Sequence, residues 1–365
     1  MKIVTTSYIN STEYKHPDEW LERINFHITV LESLALIDEV ISIEQINYEG
    51  ELTRNGVQYK FLDFRKRKLY FPLKLHRYIK SLHPDVVLVH GLHFPFQIIQ
   101  LRRTLGNSVL LIVQNHAEKP FTGWRKWLQK KADRHIDHYL FASREFALQW
   151  VDKGIIRNEE RITEVMEASS VFSQTDRIEA KRLTRVSGEP VFLWVGRLDR
   201  NKDPLTVVNA FIAFIEHNPS AKLYMIFQQD GLLPDIKKLI QASATANIVL
   251  VGKVPHKQLE PWFNSADFII SGSHYEGSGI AVAEAMSCGC IPMLTNILSF
   301  RSMTNGHCGY LYEPGNSQQL SALLVNTSNI NIEEERAKTL AQFERDLSPA
   351  AIAKKIAAVI AANKV

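Results

Sequence analysis

The chain has 365 residues, of which 45% are hydrophobic and 22% charged, with a formal net charge of +4. These values exclude a disordered or fibrous chain and suit about two globular domains. No apolar run approaches the ~18 residues of a membrane span. The opening Met1-Lys2-Ile3-Val4-Thr5-Thr6-Ser7 reads as a first strand and not as a signal peptide, so the expected location is cytoplasmic. The charge is unevenly spread: residues 1–53 hold 3 Lys/Arg against 10 Asp/Glu, and residues 54–134 hold 17 against 4.

In chain order, the first half offers strands at Lys2–Ser7, Glu39–Ile46, Asp85–His90, Ser108–Gln114 and His138–Ala142. Helical patterns fall near 17–36, 72–82, 95–104 and 123–134. The polar stretch 173–190 reads as a linker. A second series of strands follows at Val191–Gly196, Ala221–Phe227, Asn247–Gly252, Asp267–Gly272 and Ile291–Thr295. Helices between and after them fit 204–217, 231–243, 256–266, 279–288 and 317–325, and the tail 349–363 reads as one more. Alternating strands and helices signal α/β architecture with parallel sheets, and ligands in such folds bind beyond the strand C-termini. The expected division is 1–180, 181–345 and a terminal helical segment 346–365 that packs back on the first domain. Two doubly wound domains of this kind would leave a cleft between them.

Two segments carry the chemistry. Arg197 follows directly on the strand Val191–Gly196, and Lys202 comes five residues later, before the Asp203-Pro204 helix start. Two cations at one strand end suit a diphosphate. In Glu276-Gly-Ser-Gly-Ile-Ala-Val-Ala-Glu284, two carboxylates flank a small-residue turn into a helix. Uncovered N–H groups at a helix start attract phosphate. Carboxylates would repel it, so Glu276 and Glu284 are expected to hold hydroxyl groups on either side. Ser278 is the expected helix cap, and Gly277 and Gly279 leave room for a ligand. Hydroxyl, phosphate and hydroxyl in series is the layout of a sugar nucleotide. Cys288, Cys290 and Cys308 lack the spacing of a zinc site and read as buried thiols, and no metal is expected.

The pattern G-R-x4-K at Gly196–Lys202, followed by E-G-x-G-x4-E-A-M-x-x-G at Glu276–Gly289, resembles the retaining glycosyltransferases of family 4, with the GT-B fold. Val251-Gly-Lys-Val254 and Gly309-Tyr-Leu-Tyr-Glu-Pro-Gly315 fit as well, and the likeness is strongest over roughly 190–327. The resemblance implies that Arg197 and Lys202 grip the donor diphosphate, that Glu284 holds the ribose and that Glu276 contacts the transferred sugar. It implies that backbone N–H groups of Gly277, Ser278, Gly279 and Ile280 hold the sugar and distal phosphate. Gly252, Lys253 and Val254 would lie along the base, and His116 would face the donor sugar, with His90 a second candidate. The family's Gly-Gly pair after the first strand is missing. Ser11, Thr12 and Glu13 of that loop are expected on the acceptor side instead.

The resulting expectation is an enzyme that moves a sugar from a nucleoside diphosphate sugar to a hydroxyl of a glycan or lipid-linked saccharide. Transfer would proceed with retention and without metal or other cofactor, in surface polysaccharide assembly. The alternatives are a sugar-nucleotide epimerase, a phosphorylase-like enzyme, or a non-catalytic sugar-nucleotide-binding subunit. The basic runs Arg65-Lys-Arg-Lys68 and Trp124-Arg-Lys-Trp-Leu-Gln-Lys-Lys131 add an expected peripheral contact with an anionic membrane at its inner face. No nucleic-acid-binding module is recognised, so no nucleic acid partner is expected.

Overall fold

The computed structural model describes residues 1–63 and 70–363. The basic run Arg65-Lys-Arg-Lys68 lies outside the described residues. Met1–Ser169 and the terminal helix Pro349–Asn363 form one compact unit, and Ser170–Ser348 form the other. The break therefore comes earlier than the expected 180/181. The segment 173–190 is not a plain linker: it contains the helix Arg177–Thr184, which packs on the helix Glu260–Ser265. Asn264 Oδ1 accepts from Thr175 N at 2.8 Å, and Arg177 pairs with Asp267. The segment thus belongs to the second unit from its start.

The strands of the first unit are β1 (Lys2–Ser7), β2 (Glu39–Glu44), β3 (Gly50–Arg54), β4 (Val57–Phe61), β5 (Val86–His90), β6 (Leu110–Gln114), β7 (His138–Phe141) and β8 (Ile162–Glu164). Among the described residues they form one sheet in the order β3-β4-β2-β1-β5-β6-β7-β8. Every pairing is parallel except β3 with β4. The strand β6 (Leu-Leu-Ile-Val-Gln) is buried at every position, as a parallel strand covered by helices on both faces must be. The hairpin β3–β4 turns at Asn55 and Gly56, both with positive φ, and its signal is that Asn-Gly pair. The expected helix 17–36 is two helices, Pro17–Arg23 and Asn25–Ala35, broken at Ile24.

The second unit holds β9 (Val191–Gly196), β10 (Lys222–Phe227), β11 (Ile248–Gly252), β12 (Phe268–Ser271), β13 (Ile291–Thr295) and β14 (Tyr310–Tyr312). They run parallel in the order β11-β10-β9-β12-β13-β14. Its core centres on Phe192, which lies 5.1 Å from Phe268 and 5.6 Å from both Phe211 and Phe214, ring centre to ring centre. The expected helix 256–266 is a 3-10 turn, His256–Gln258, then the helix Glu260–Ser265. Pro261 at that helix's start supplies no N–H to continue the preceding turn. The cysteines are free and buried, and burial pushes the Cys288 and Cys308 thiols up to about 12.

In both sheets the strand order reverses beside the first strand. In the first unit this happens between β1 and β5, and in the second between β9 and β12. A crevice opens at such a switch point, outside the carboxyl ends of the strands. The β9–β12 register covers Phe192 with Phe268 and Leu193 with Ile269, so Val195 and Gly196 lie beyond it, where the two strands part.

Candidate functional site

The two loops that leave the β9/β12 switch point are the ones the sequence singles out. A cavity of about 500 Å³ lies there, lined by Arg197, Lys202, Val254, Glu276 and Gly277 together with Asn201 and Tyr275. Arg197 follows β9 directly, is 52% exposed, and donates from Nε to Asp199 Oδ2 at 2.9 Å. The other Asp199 oxygen accepts from Lys202 N at 2.9 Å, which folds the loop back on itself. Asp203 then caps the helix Pro204–Ile215 through its side chain. Gly272 is a close-approach position: a Cβ there would meet Asp203 O at 2.7 Å, so a larger residue after β12 would push the Lys202 loop away.

Lys202 Nζ donates to Glu276 Oε1, and Ser273 Oγ donates to the same oxygen at 2.6 Å. Glu276 is thus held between a cation and a hydroxyl at the wall of the cavity. Glu284 is buried and does not line the cavity; its Oε1 lies 2.5 Å from His256 Nε2. The carboxylates therefore have protein partners, Lys202 and Ser273 for one and His256 for the other. Sequence reasoning assigns their donors to ligand hydroxyls alone. Ser273, three residues before Glu276 on the same turn, is the signal that could have been read; His256 has none in the linear sequence.

The helix Ile280–Ser287 begins at Gly279, not at Ser278, and no side chain caps it. Gly279 has φ +56, and a Cβ there would lie 2.8 Å from Phe300 Cε1. Glycine is required at this position by backbone conformation and by packing, before any ligand is considered. Replacing Gly279 with Ala is expected to cost about 2 kcal/mol, from left-handed strain and the Phe300 clash, read as a lower urea midpoint at unchanged slope. A variant with the wild-type midpoint would contradict this. Ile280 and Gly279 border a small adjoining hollow with Lys202 and Glu276. Gly252 ends β11 with φ +84, and Lys253 and Ser278 are not among the residues lining the larger cavity.

The remaining expected residues lie in the first unit. Ser11 is buried and bridges to Ile46, its N donating to Gln45 O at 2.9 Å, whereas Thr12 and Glu13 are exposed. His90 ends β5 and His116 follows β6. Thr5 Oγ1 contacts His90 Nε2 at 2.7 Å, His90 Nδ1 contacts His116 Nε2 at 2.9 Å, and His116 Nδ1 lies 2.6 Å from Glu167 Oε2. Both ring nitrogens of His116 are thus engaged inside the unit. His27 packs edge-on to His90 with ring centres 4.4 Å apart.

These rings titrate apart. For His116, burial lowers the pKa, but the charge and hydrogen bond of Glu167, with the charge of Glu118, more than reverse this and raise it. Burial, then the charges of His27 and His116, hold His90 well below its usual value. Burial, then His116, lowers His27 to about 3. The raised pKa of His116 contributes stability that is present below about 6.5 and lost as pH rises through its folded value. His27 and His90 act oppositely: below about 6.5 the unfolded chain takes up protons that the folded rings refuse, so folding weakens as pH falls. Between about pH 6.5 and 5, above the usual carboxylate range, His27→Asn is therefore expected to give a shallower fall of urea midpoint with acid than wild type. An equal or steeper fall would show that His27 is not held neutral.

Comparison with known proteins agrees on the second unit. Residues 175–342 match the family described as Glycosyl transferases group 1. The poly(glycerol-phosphate) alpha-glucosyltransferase of Bacillus subtilis (strain 168) is 33% identical over 136 residues, covering 36% of this chain and 20% of that protein. The GDP-mannose:cellobiosyl-diphosphopolyprenol alpha-mannosyltransferase of Xanthomonas oryzae pv. oryzae is 26% identical over 151 residues, 41% of this chain and 37% of that one. The chain thus spans well under half the length of either relative. Among solved structures, Anabaena HepE in complex with UDP superposes with a TM-score of 0.74 over 99% of this chain and 100% of that one, at 12% identity. That likeness fixes the fold, α/β of GT-B type with two parallel sheets.

Proposed function

We propose that the protein transfers a sugar from a nucleoside diphosphate sugar to a hydroxyl acceptor, a glycan or lipid-linked saccharide, with retention at the anomeric carbon. The observation that carries this reading is the meeting of Arg197, Lys202 and Glu276 in one cavity of about 500 Å³ beside the uncapped start of the helix Ile280–Ser287. Arg197, Lys202 and the first N–H groups of the helix supply positive charge for the diphosphate. The Lys202 ammonium has three donors, so it can keep Glu276 while taking a phosphate oxygen. Glu276 then faces the transferred sugar and Val254 the base. For Glu284, buried beside His256, and for His116 of the first unit, the roles toward ribose and donor sugar rest on the family resemblance alone.

The bond from the anomeric carbon to the leaving phosphate oxygen breaks, and the acceptor oxygen bonds to that carbon on the same face. The acceptor's proton goes to the leaving phosphate oxygen. Two cations and a helix terminus stabilise the departing diphosphate, so this reading assigns no metal. The relatives' names, a glucosyltransferase and a mannosyltransferase, support sugar transfer, and one of them names a polyprenol-linked acceptor. That supports a place in surface polysaccharide assembly. Trp124 and Trp127, exposed on the basic helix Gly123–Ala132, suit a weak contact with anionic lipid. Among the described residues no helix is long and apolar enough to cross a membrane.

A thermal-shift screen over UDP-, GDP-, TDP- and ADP-sugars tests the donor. A sugar nucleotide at 100 times its dissociation constant should add about 2.7 kcal/mol of stability. If none of them shifts the transition, the reading fails.

A further inference from the structure

The first unit has its own cavity, of about 610 Å³, lined in part by the basic run Trp124–Lys131. It lies where β1, β5 and β6 end, since Tyr8 follows β1, Phe94 and Phe96 follow β5, and Phe121 and Trp124 follow β6. This is the switch-point end of the sheet, where open α/β folds bind ligands. Its volume is within the ~300–1,000 Å³ of pockets that enclose a small molecule.

The lining decides the ligand's chemistry. Among the described residues no Asp or Glu lines the cavity, and its walls are mostly aromatic. The polar groups present are largely spent: Tyr8 Oη meets His76 Nε2 at 2.9 Å, and His93 Nε2 meets Lys119 O at 2.9 Å. A saccharide ring carries hydroxyls on every side and needs many acceptors and donors, of which this mostly aromatic lining offers few. The one Arg or Lys lining it among the described residues is Arg125. Its guanidinium lies 5.6 Å from the ring centres of both Phe121 and Trp124, and it has no carboxylate partner among the described residues. The same helix carries Lys126, Lys130 and Lys131 and no acidic residue. Of the lining residues, Tyr70 and Trp124 are each 70% exposed. An apolar chamber with one unpaired guanidinium at its mouth fits an amphiphile with an anionic head.

We infer that this cavity binds a lipid phosphate, its hydrocarbon chain against Phe94, Phe96 and Phe121 and its phosphate on Arg125. As the anchor for the lipid part of a lipid-linked acceptor it rests on the proposed function; as a lipid-phosphate site it stands without it. A planar bidentate guanidinium suits phosphate oxygens.

The test is calorimetric titration of the whole protein with farnesyl phosphate below its aggregation concentration. Farnesol, inorganic phosphate and vesicles of phosphatidylglycerol with phosphatidylcholine run alongside. Saturable binding of farnesyl phosphate near one per chain is expected, with farnesol and phosphate each weaker by at least about tenfold. Arg125→Gln should lose at least about tenfold for farnesyl phosphate and leave farnesol unchanged. Phe96→Ala should weaken both. Absence of saturable binding, or Arg125→Gln binding like wild type, overturns the inference. So does vesicle binding without saturable binding of farnesyl phosphate, because the surface is then a bilayer contact alone. Each sample is also titrated with the donor sugar nucleotide. Donor binding without lipid-phosphate binding sinks only this inference, whereas lipid-phosphate binding without any donor binding sinks the proposed function and leaves the site.

Discussion

Replacing Lys202 with Ala should lower sugar transfer by about 10²–10³-fold in kcat, equivalent to about 2.7–4 kcal/mol of lost transition-state stabilisation. Lys202 reaches the cavity at the β9/β12 switch point and is already in contact with Glu276. Charge builds on the diphosphate as the sugar leaves, so an ammonium aimed there acts more strongly in the transition state than in the ground state. Glu276→Gln should lose a comparable factor. The amide keeps the shape and can still accept from Ser273, but it no longer carries the charge that Lys202 balances. Because each change also breaks a partly buried pair, the folded fraction must be measured by circular dichroism before rates are compared. Both variants folded and turning over at the wild-type rate would remove these two residues from the chemistry.

Phe192→Ala should cost about 3–5 kcal/mol, the largest stability loss expected in the second unit. The ring is fully buried at the centre of the sheet and packs face to face on Phe268, with interplanar angle 17°, and edge-on to Phe211 and Phe214. Removing it leaves a cavity that three rings must fill, and aromatic pairing is lost in addition to the apolar burial. Phe192→Leu keeps most of the volume and should cost no more than about 1.5 kcal/mol. Urea unfolding followed by tryptophan fluorescence reads both. An alanine variant within about 1 kcal/mol of wild type would mean that the core re-forms around the gap.

How much was legible follows from the kind of signal each element carries. The strands Val191–Gly196 and Ile291–Thr295 read with their observed bounds from their apolar runs, and Lys2–Ser7 from its β-branched Ile-Val-Thr-Thr. The terminal helix Pro349–Asn363 read equally well from its small-residue composition. The three-residue strands Ile162–Glu164 and Tyr310–Tyr312 did not, since so short a run has no periodicity of its own and exists through pairing with a neighbour. The hairpin at Asn55-Gly56 carries a local signal, the Asn-Gly pair, with no long apolar run beside it.

At the site, Arg197, Lys202 and Glu276 were legible because strand ends and small-residue turns put them beside one another. The partner of Glu284 was not: His256 reaches it from a turn 28 residues away. The cap at Gly279 was misplaced to Ser278, because serine is the stronger cap in general and only the packing of Phe300 shows why glycine sits one residue later. His116 was singled out by its strand end, but its contacts with His90 and Glu167 depend on how β5, β6 and the chain after β8 are placed, which spacing does not encode.

The most direct test of the central claim is a crystal structure of the protein with the nucleoside diphosphate of its best donor. The two phosphates are expected between Arg197, Lys202 and the first turn of the helix Ile280–Ser287, with Lys202 still within reach of Glu276. A nucleotide bound elsewhere, with these residues untouched, would contradict it.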